Sequence, residues 1–219
     1  MGFPQLFRRR MILWPTLAGW LVFTVLFFTP ILFWVLRGEK LLSRTDRQPA
    51  EILIVEGWIC DDGLVAAAKE YLTGGYTMVV VTGEYTSGRW NSQRWCFADV
   101  ARAALIRSGV PVGSIVRAPA EYSERMRTFE SALSVRLRLL ELHGLHPPSS
   151  VNIYTAGLHA RRSQLVYAKV LGEDFKVGVV SWTPTDYLAS PWWKSSDRAK
   201  DMIIETVGWF FELLLNSGR

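Results

Sequence analysis

The sequence predicts an α/β domain built on a mainly parallel sheet of about five strands, with helices on both faces and one membrane-spanning helix in front. Three observations carry this. Short apolar, β-branched runs alternate with helical patterns of about a dozen residues, the signature of βαβ units. The runs are apolar throughout, as strands buried on both faces are. Residues Met11 to Leu36 hold no ionisable side chain over 26 positions, and roughly 20 apolar residues cross a hydrocarbon core.

Residues 1–10 read as a short basic arm holding Arg8, Arg9 and Arg10, and residues 11–36 as the anchor. Trp14 and Trp34 lie near its ends, where an aromatic belt belongs. Pro15 and Pro30 stand at positions a membrane helix tolerates. A cleaved signal peptide would carry an apolar stretch of about 7–15 residues ending in small ones. This stretch is longer and runs through Phe33-Trp34-Val35-Leu36 into Arg37, so an uncleaved anchor is expected. Residues 37–49 read as a polar linker and 50–219 as the folded domain.

Within the domain, Glu51–Val55 reads as a buried strand, and Asp61–Leu72 as a helix with Asp61 and Asp62 in its first turn. Met78–Thr82 is the second strand. Asn91–Ser108 is helical and is stopped by Gly109 and Pro111. Ser114–Arg117 is a short strand, and Arg127–His143 a helix ended by Gly144. Val151–Thr155, helix His159–Leu171 and strand Lys176–Ser181 follow, and Asp197–Leu215 is a final amphipathic helix. Its polar side carries Glu205 and Glu212 as well as Lys200, which favours docking onto the sheet over lying on a membrane. No internal repeat or low-complexity tract is present.

The net charge of +5 suggests a basic protein, but its position says otherwise. Residues 1–47 carry seven basic and two acidic side chains, leaving 18 of each in the rest. A neutral domain offers no electrostatic basis for nucleic-acid binding. The excess flanks the membrane segment, and the arginine cluster on a short arm favours an internal N-terminus. The expected location is an inner membrane crossed once, with the domain on the external, periplasmic side. Cys60 and Cys96 are too few for a disulfide scaffold or a multi-cysteine zinc site. An external location would let them pair, but two buried free thiols are the preferred expectation.

Ligands of open α/β sheets sit at the carboxyl ends of the strands. Here those ends lead into Glu56-Gly57-Trp58, Thr82-Gly83-Glu84 and Thr155-Ala156-Gly157-Leu158-His159-Ala160-Arg161-Arg162. Glycine permits tight turns and a close ligand. No dinucleotide or nucleoside-triphosphate motif occurs, so no cofactor is named. Arg161 and Arg162 fall in the first turn of a helix, where the dipole disfavours cations and favours anions. Either an anion is clamped there, with His159 and Arg162 on one helix face, or the arginines are solvated or paired with carboxylates. Glu56, Glu84 and Glu130 are candidates for a general acid or base, or for capping and partnering the arginines. His143 and His146 lack a third ligand, so no metal site is expected. The loop Tyr85–Trp95, with Arg89, Trp90 and Arg94, is a candidate lid or lipid-facing surface.

At these turns the sequence resembles the SanA/ElyC/YdcF family of bacterial envelope proteins, over about residues 50–182. The resemblance rests on Val55-Glu56-Gly57, Thr82-Gly83-Glu84, Gly109-Val110-Pro111, Arg127-Thr128-Phe129-Glu130-Ser131 and His159 to Arg162. The fourth of these is similar to the Arg-Thr-x-Asp-Ser of the SanA-like branch, which also has an N-terminal anchor. Trp58 stands where the family's first turn has a second Gly, and the first helix, DDGLVAAAKE, lacks the family's Arg. The resemblance implies a Rossmann-like three-layer domain acting in envelope biogenesis or barrier function, touching lipid-carrier or peptidoglycan metabolism. It adds Arg127, Thr128 and Ser131 to the candidate ligand residues.

Three functions are therefore expected in order. The first is binding of a small anionic or phosphorylated metabolite by His159, Arg162, Arg127 and Thr128, with Glu56, Gly57, Thr82, Gly83, Ser131, Thr155 and Arg161 around it. The second is a hydrolase or transferase on a phosphorylated substrate, using Glu84, Glu130 or His159. The third is an interaction module that meets a protein partner of unknown identity through the Trp-rich loop and Trp192-Trp193.

Overall fold

A computed structural model of the chain describes residues 14–87, 95–144, 150–173 and 175–215. Arg8, Arg9, Arg10, Arg89, Trp90, Arg94 and His146 lie outside the described residues, as does the predicted start of the third helix at residues 91–94. The chain divides after Gly38 into two compact units.

The first unit is the apolar part of α1 (Leu17–Leu42). From Leu17 to Leu36 it offers 20 residues without a charge, about 30 Å of helix at ~1.5 Å per residue. That is long and apolar enough to cross a membrane.

The second unit is a three-layer α/β domain. Its sheet contains β1 (Ile52–Glu56), β2 (Met78–Glu84), β3 (Ile115–Ala120), β4 (Ser150–Ala156) and β5 (Lys176–Trp182). The order is β3-β2-β1-β4-β5 and every pairing is parallel. Alternate residues feed two cores. Leu53, Val55, Val79 and Val81 pack with α2 (Asp61–Thr73) and α3 (Phe97–Arg107), while Ile52, Ile54, Val80 and Ile153 pack with α4 (Arg127–His143) and α5 (Ala160–Leu171). This two-sided burial is why the strands read as continuous apolar runs.

Two stretches differ from the sequence reading. Residues 39–49, expected within a linker, are bound to the sheet. Leu42 is fully buried, Asp46 bridges Val179 as an antiparallel partner of β5, and Arg47 pairs with Glu70 at 2.8 Å. Buried Asn152 acts as a substitute strand: its amide exchanges two hydrogen bonds with the Gln48 backbone, at 2.9 and 2.7 Å. Secondly, α6 (Ser196–Leu214) packs on α5 as an outer layer rather than onto the sheet. It turns its charges inward. Arg198 reaches Glu39, Glu205 reaches α5, and Glu212 accepts from Lys169 at 3.1 Å.

The cysteines are both free, with Cys96 buried. Cys60, expected buried, is exposed at the N-cap position of α2, where its side chain makes no capping bond.

Candidate functional site

The strand order reverses between β1 and β4, the position where open α/β sheets leave a crevice. Glu56 ends β1 there and is 2% exposed. Thr155 Oγ1 of β4 donates to its carboxylate at 2.5 Å, and Ser163 Oγ of α5 lies 3.2 Å from both carboxylate oxygens. A carboxylate removed from water needs such donors.

His159 closes the 3-10 turn Gly157–His159 that leads into α5, and its side chain is 11% exposed. Nε2 faces Thr128 Oγ1 at 3.4 Å and Glu56 at 3.8 Å. Nδ1 lies 3.0 Å from Glu205 Oε1 on α6. Trp58 stands edge-on to the imidazole, with centroids 4.9 Å apart. Arg162, three residues on and so on the same helix face, grips Glu205 with two nitrogens at 2.7 and 2.9 Å. Its Nη2 is also 2.9 Å from His159 Nδ1. Nδ1 therefore has two polar neighbours, a carboxylate oxygen and a guanidinium nitrogen, and Nε2 is turned towards Thr128 and Glu56. Gly208 makes this possible: a Cβ there would stand 2.8 Å from Arg162 Cδ.

The electrostatics follow the geometry. Burial alone would raise the Glu205 carboxyl, but His159 and Arg162 outweigh it and lower it from 4.5 to about 2. Burial alone would lower Arg162, and its bonds to Glu205 hold it above its ordinary value instead.

The other predicted residues are placed as follows. Met126 adopts a left-handed conformation (φ 55°), an uncommon backbone for a side chain of this size, and so launches Arg127 and Thr128 at the start of α4. Arg127 is 71% exposed and lies 3.5 Å from Glu84, which also accepts from the Ser123 amide. Thr82 Oγ1 donates to the Ser131 carbonyl at 3.4 Å, tying β2 to α4. Gly57 and Gly83, expected to admit a ligand, are approached instead by Phe97 at the start of α3. A Cβ on Gly57 would stand 2.3 Å from the Phe97 carbonyl oxygen, and one on Gly83 2.6 Å from Phe97 Cβ. Arg161 turns away from Glu205: it donates to Gln164, whose amide reaches Asp46 and the Val177 carbonyl. Glu130 is half-buried in the first turn of α4 and joins none of these contacts.

Sequence reasoning missed Glu205 and Ser163. Glu205 carries a signal in hindsight. Arg198, Glu205 and Glu212 fall on the side of α6 opposite Ile203, Val207, Phe210 and Leu214, so the helix has one polar and one apolar face. Among the described residues no three His, Cys, Asp or Glu side chains gather as metal ligands.

No protein-family model matches the chain, and no curated protein matches it significantly. The likeness to the SanA/ElyC/YdcF family rests on the motif residues alone.

Proposed function

We propose that the protein is a membrane-anchored enzyme of the cell envelope, a hydrolase or transferase acting on a small phosphorylated substrate, with His159 as general base. One observation carries this reading. A hydroxyl, an imidazole and a carboxylate (Thr128, His159, Glu205) stand in sequence, at 3.4 and 3.0 Å, at the strand-end crevice. That order lets a base activate an oxygen nucleophile while a third group holds the base.

The attacking oxygen, Thr128 Oγ1 or a water beside it, loses its proton to Nε2. That oxygen forms its bond to phosphorus as the in-line bond from phosphorus to the leaving group breaks on the far side. Glu205, which holds the Nδ1 proton in this reading, stabilises the imidazolium, which then releases its proton to water. Arg162 secures Glu205 and is not available to an anion, which weakens the binding reading that gave it that role. Arg127, exposed and 3.5 Å from Glu84, is the cation among the described residues that this reading assigns to the phosphoryl group. The reading places the chain once across the inner membrane with the domain outside, in envelope biogenesis or barrier function, where lipid-carrier and peptidoglycan precursors supply phosphorylated substrates.

The test is turnover by the detergent-solubilised full chain across a panel of lipid phosphates and nucleotide sugars. A substrate is expected, with kcat reduced about 10²–10⁴-fold in His159→Gln. Binding of a panel member without turnover would return the anion-binding reading to first place.

A further inference from the structure

The outer face of α6 is apolar. Ile203, Val207, Phe210, Phe211 and Leu214 are all exposed, Val207 at 64% and Leu214 at 80%. At 100° per residue, with Ile204, they form a stripe about 120° wide, the width with which a helix ordinarily faces a core. Here the core side is occupied by Arg198, Glu205 and Glu212, whose charges all have partners within the domain. The helix is thus amphipathic with its polar side in.

We propose that this face lies in the interface of a lipid bilayer, so that α6 rests on the membrane the chain is anchored in. The inference rests on reading residues 11–36 as a membrane anchor. Two observations select lipid as the occupant. Arg198, in the first turn of α6, is bonded to Glu39 at 2.5 Å, and Glu39 follows the apolar run by three residues, a span of at most about 11 Å. The start of α6 is therefore tied through Glu39 to the chain within that length of the end of the apolar run. Aromatic residues also collect along this element. Trp192 and Trp193 pair edge-on just before it, with Trp193 exposed, and Phe210 and Phe211 lie in the stripe near its end. Amphipathic rings of this kind favour the headgroup level. Because Glu205 sits on the opposite side of the same helix, the His159 crevice would lie about one helix diameter, ~10 Å, above the lipid. A substrate carried on a lipid could reach it there.

Nitroxide accessibility tests this in the full chain, with exposed Cys60 changed to Ser, reconstituted in phosphatidylethanolamine and phosphatidylglycerol vesicles. Labels are placed at Val207→Cys and, as a reference in the anchor, Phe27→Cys. Both are expected to collide more with oxygen than with an aqueous nickel chelate. A water-accessible label at 207 with a lipid-facing label at 27 would overturn the placement of α6 alone. Water access at both would overturn the anchor as well. A label at 207 shielded from both reagents would mean that protein covers the face, and would overturn the proposal in favour of a second copy or another chain segment.

Discussion

Changing Glu205 to Gln is expected to lower the unfolding free energy by about 3 kcal/mol, close to the lower end of the cost of breaking a buried ion pair. The lower end applies because the Arg162 side chain keeps 25% of its surface in water. The variant leaves that guanidinium facing a neutral amide and removes the charge beside His159 Nδ1. Acid titration of the wild type checks the same quantity. The carboxyl is lowered from 4.5 to about 2 in the folded chain, which at ~1.4 kcal/mol per tenfold step links about 3 kcal/mol of stability to pH. The folded value is depressed, so this stability is present above 4.5 and drains away as pH falls toward 2. Denaturant midpoints of the solubilised chain should fall over that window, and the window should flatten in Glu205→Gln. A loss below about 1 kcal/mol would mean that the pair behaves like an exposed one.

Gly57→Ala is expected to have the largest structural effect, with a cost of about 3 kcal/mol or more. The added Cβ would meet the Phe97 carbonyl oxygen at 2.3 Å, its carbon at 2.7 Å and the Thr82 carbonyl oxygen at 2.9 Å. All three are backbone atoms, so no side chain can swing aside. Either α3 lifts from the sheet or the bond from the Gly57 amide to Thr82, 2.7 Å long, is lost. Gly113→Ala is the control, because a Cβ there meets nothing within 4 Å. Equal stability of the two variants would show that α3 is free to move away from the β1 turn.

The sheet was legible because its strands are buried on both faces, which makes burial visible as unbroken runs such as Ile52–Val55. Helix α4 was legible to the residue, Arg127 to His143, because Gly144 stops it. The 39–49 stretch was not, since its order comes from partners such as Asn152, 104 residues away from Gln48. At the site, Glu56, Thr155 and His159 could be found from the rule that strand ends hold ligands. The reading left two roles open for Arg162, and the carboxylate pairing is the one adopted. The carboxylate itself, Glu205, lies 43 residues away on a helix with no local feature of a site. Gly57 and Gly83 were expected to admit a ligand, and in the structure Phe97 of α3 stands against both. What approaches, a helix rather than a ligand, is a tertiary fact that spacing does not encode.

The central claim is that Glu205 holds the Nδ1 proton of His159 and turns Nε2 to the crevice. Nitrogen-15 NMR of histidine-labelled full chain measures this without a known substrate. The chain has three histidines, and His159→Gln assigns the relevant signals. The neutral imidazole is expected in its Nδ1–H form, changing to Nε2–H in Glu205→Gln. An Nε2–H form in the wild type, with Nδ1 accepting from Arg162, would contradict the account.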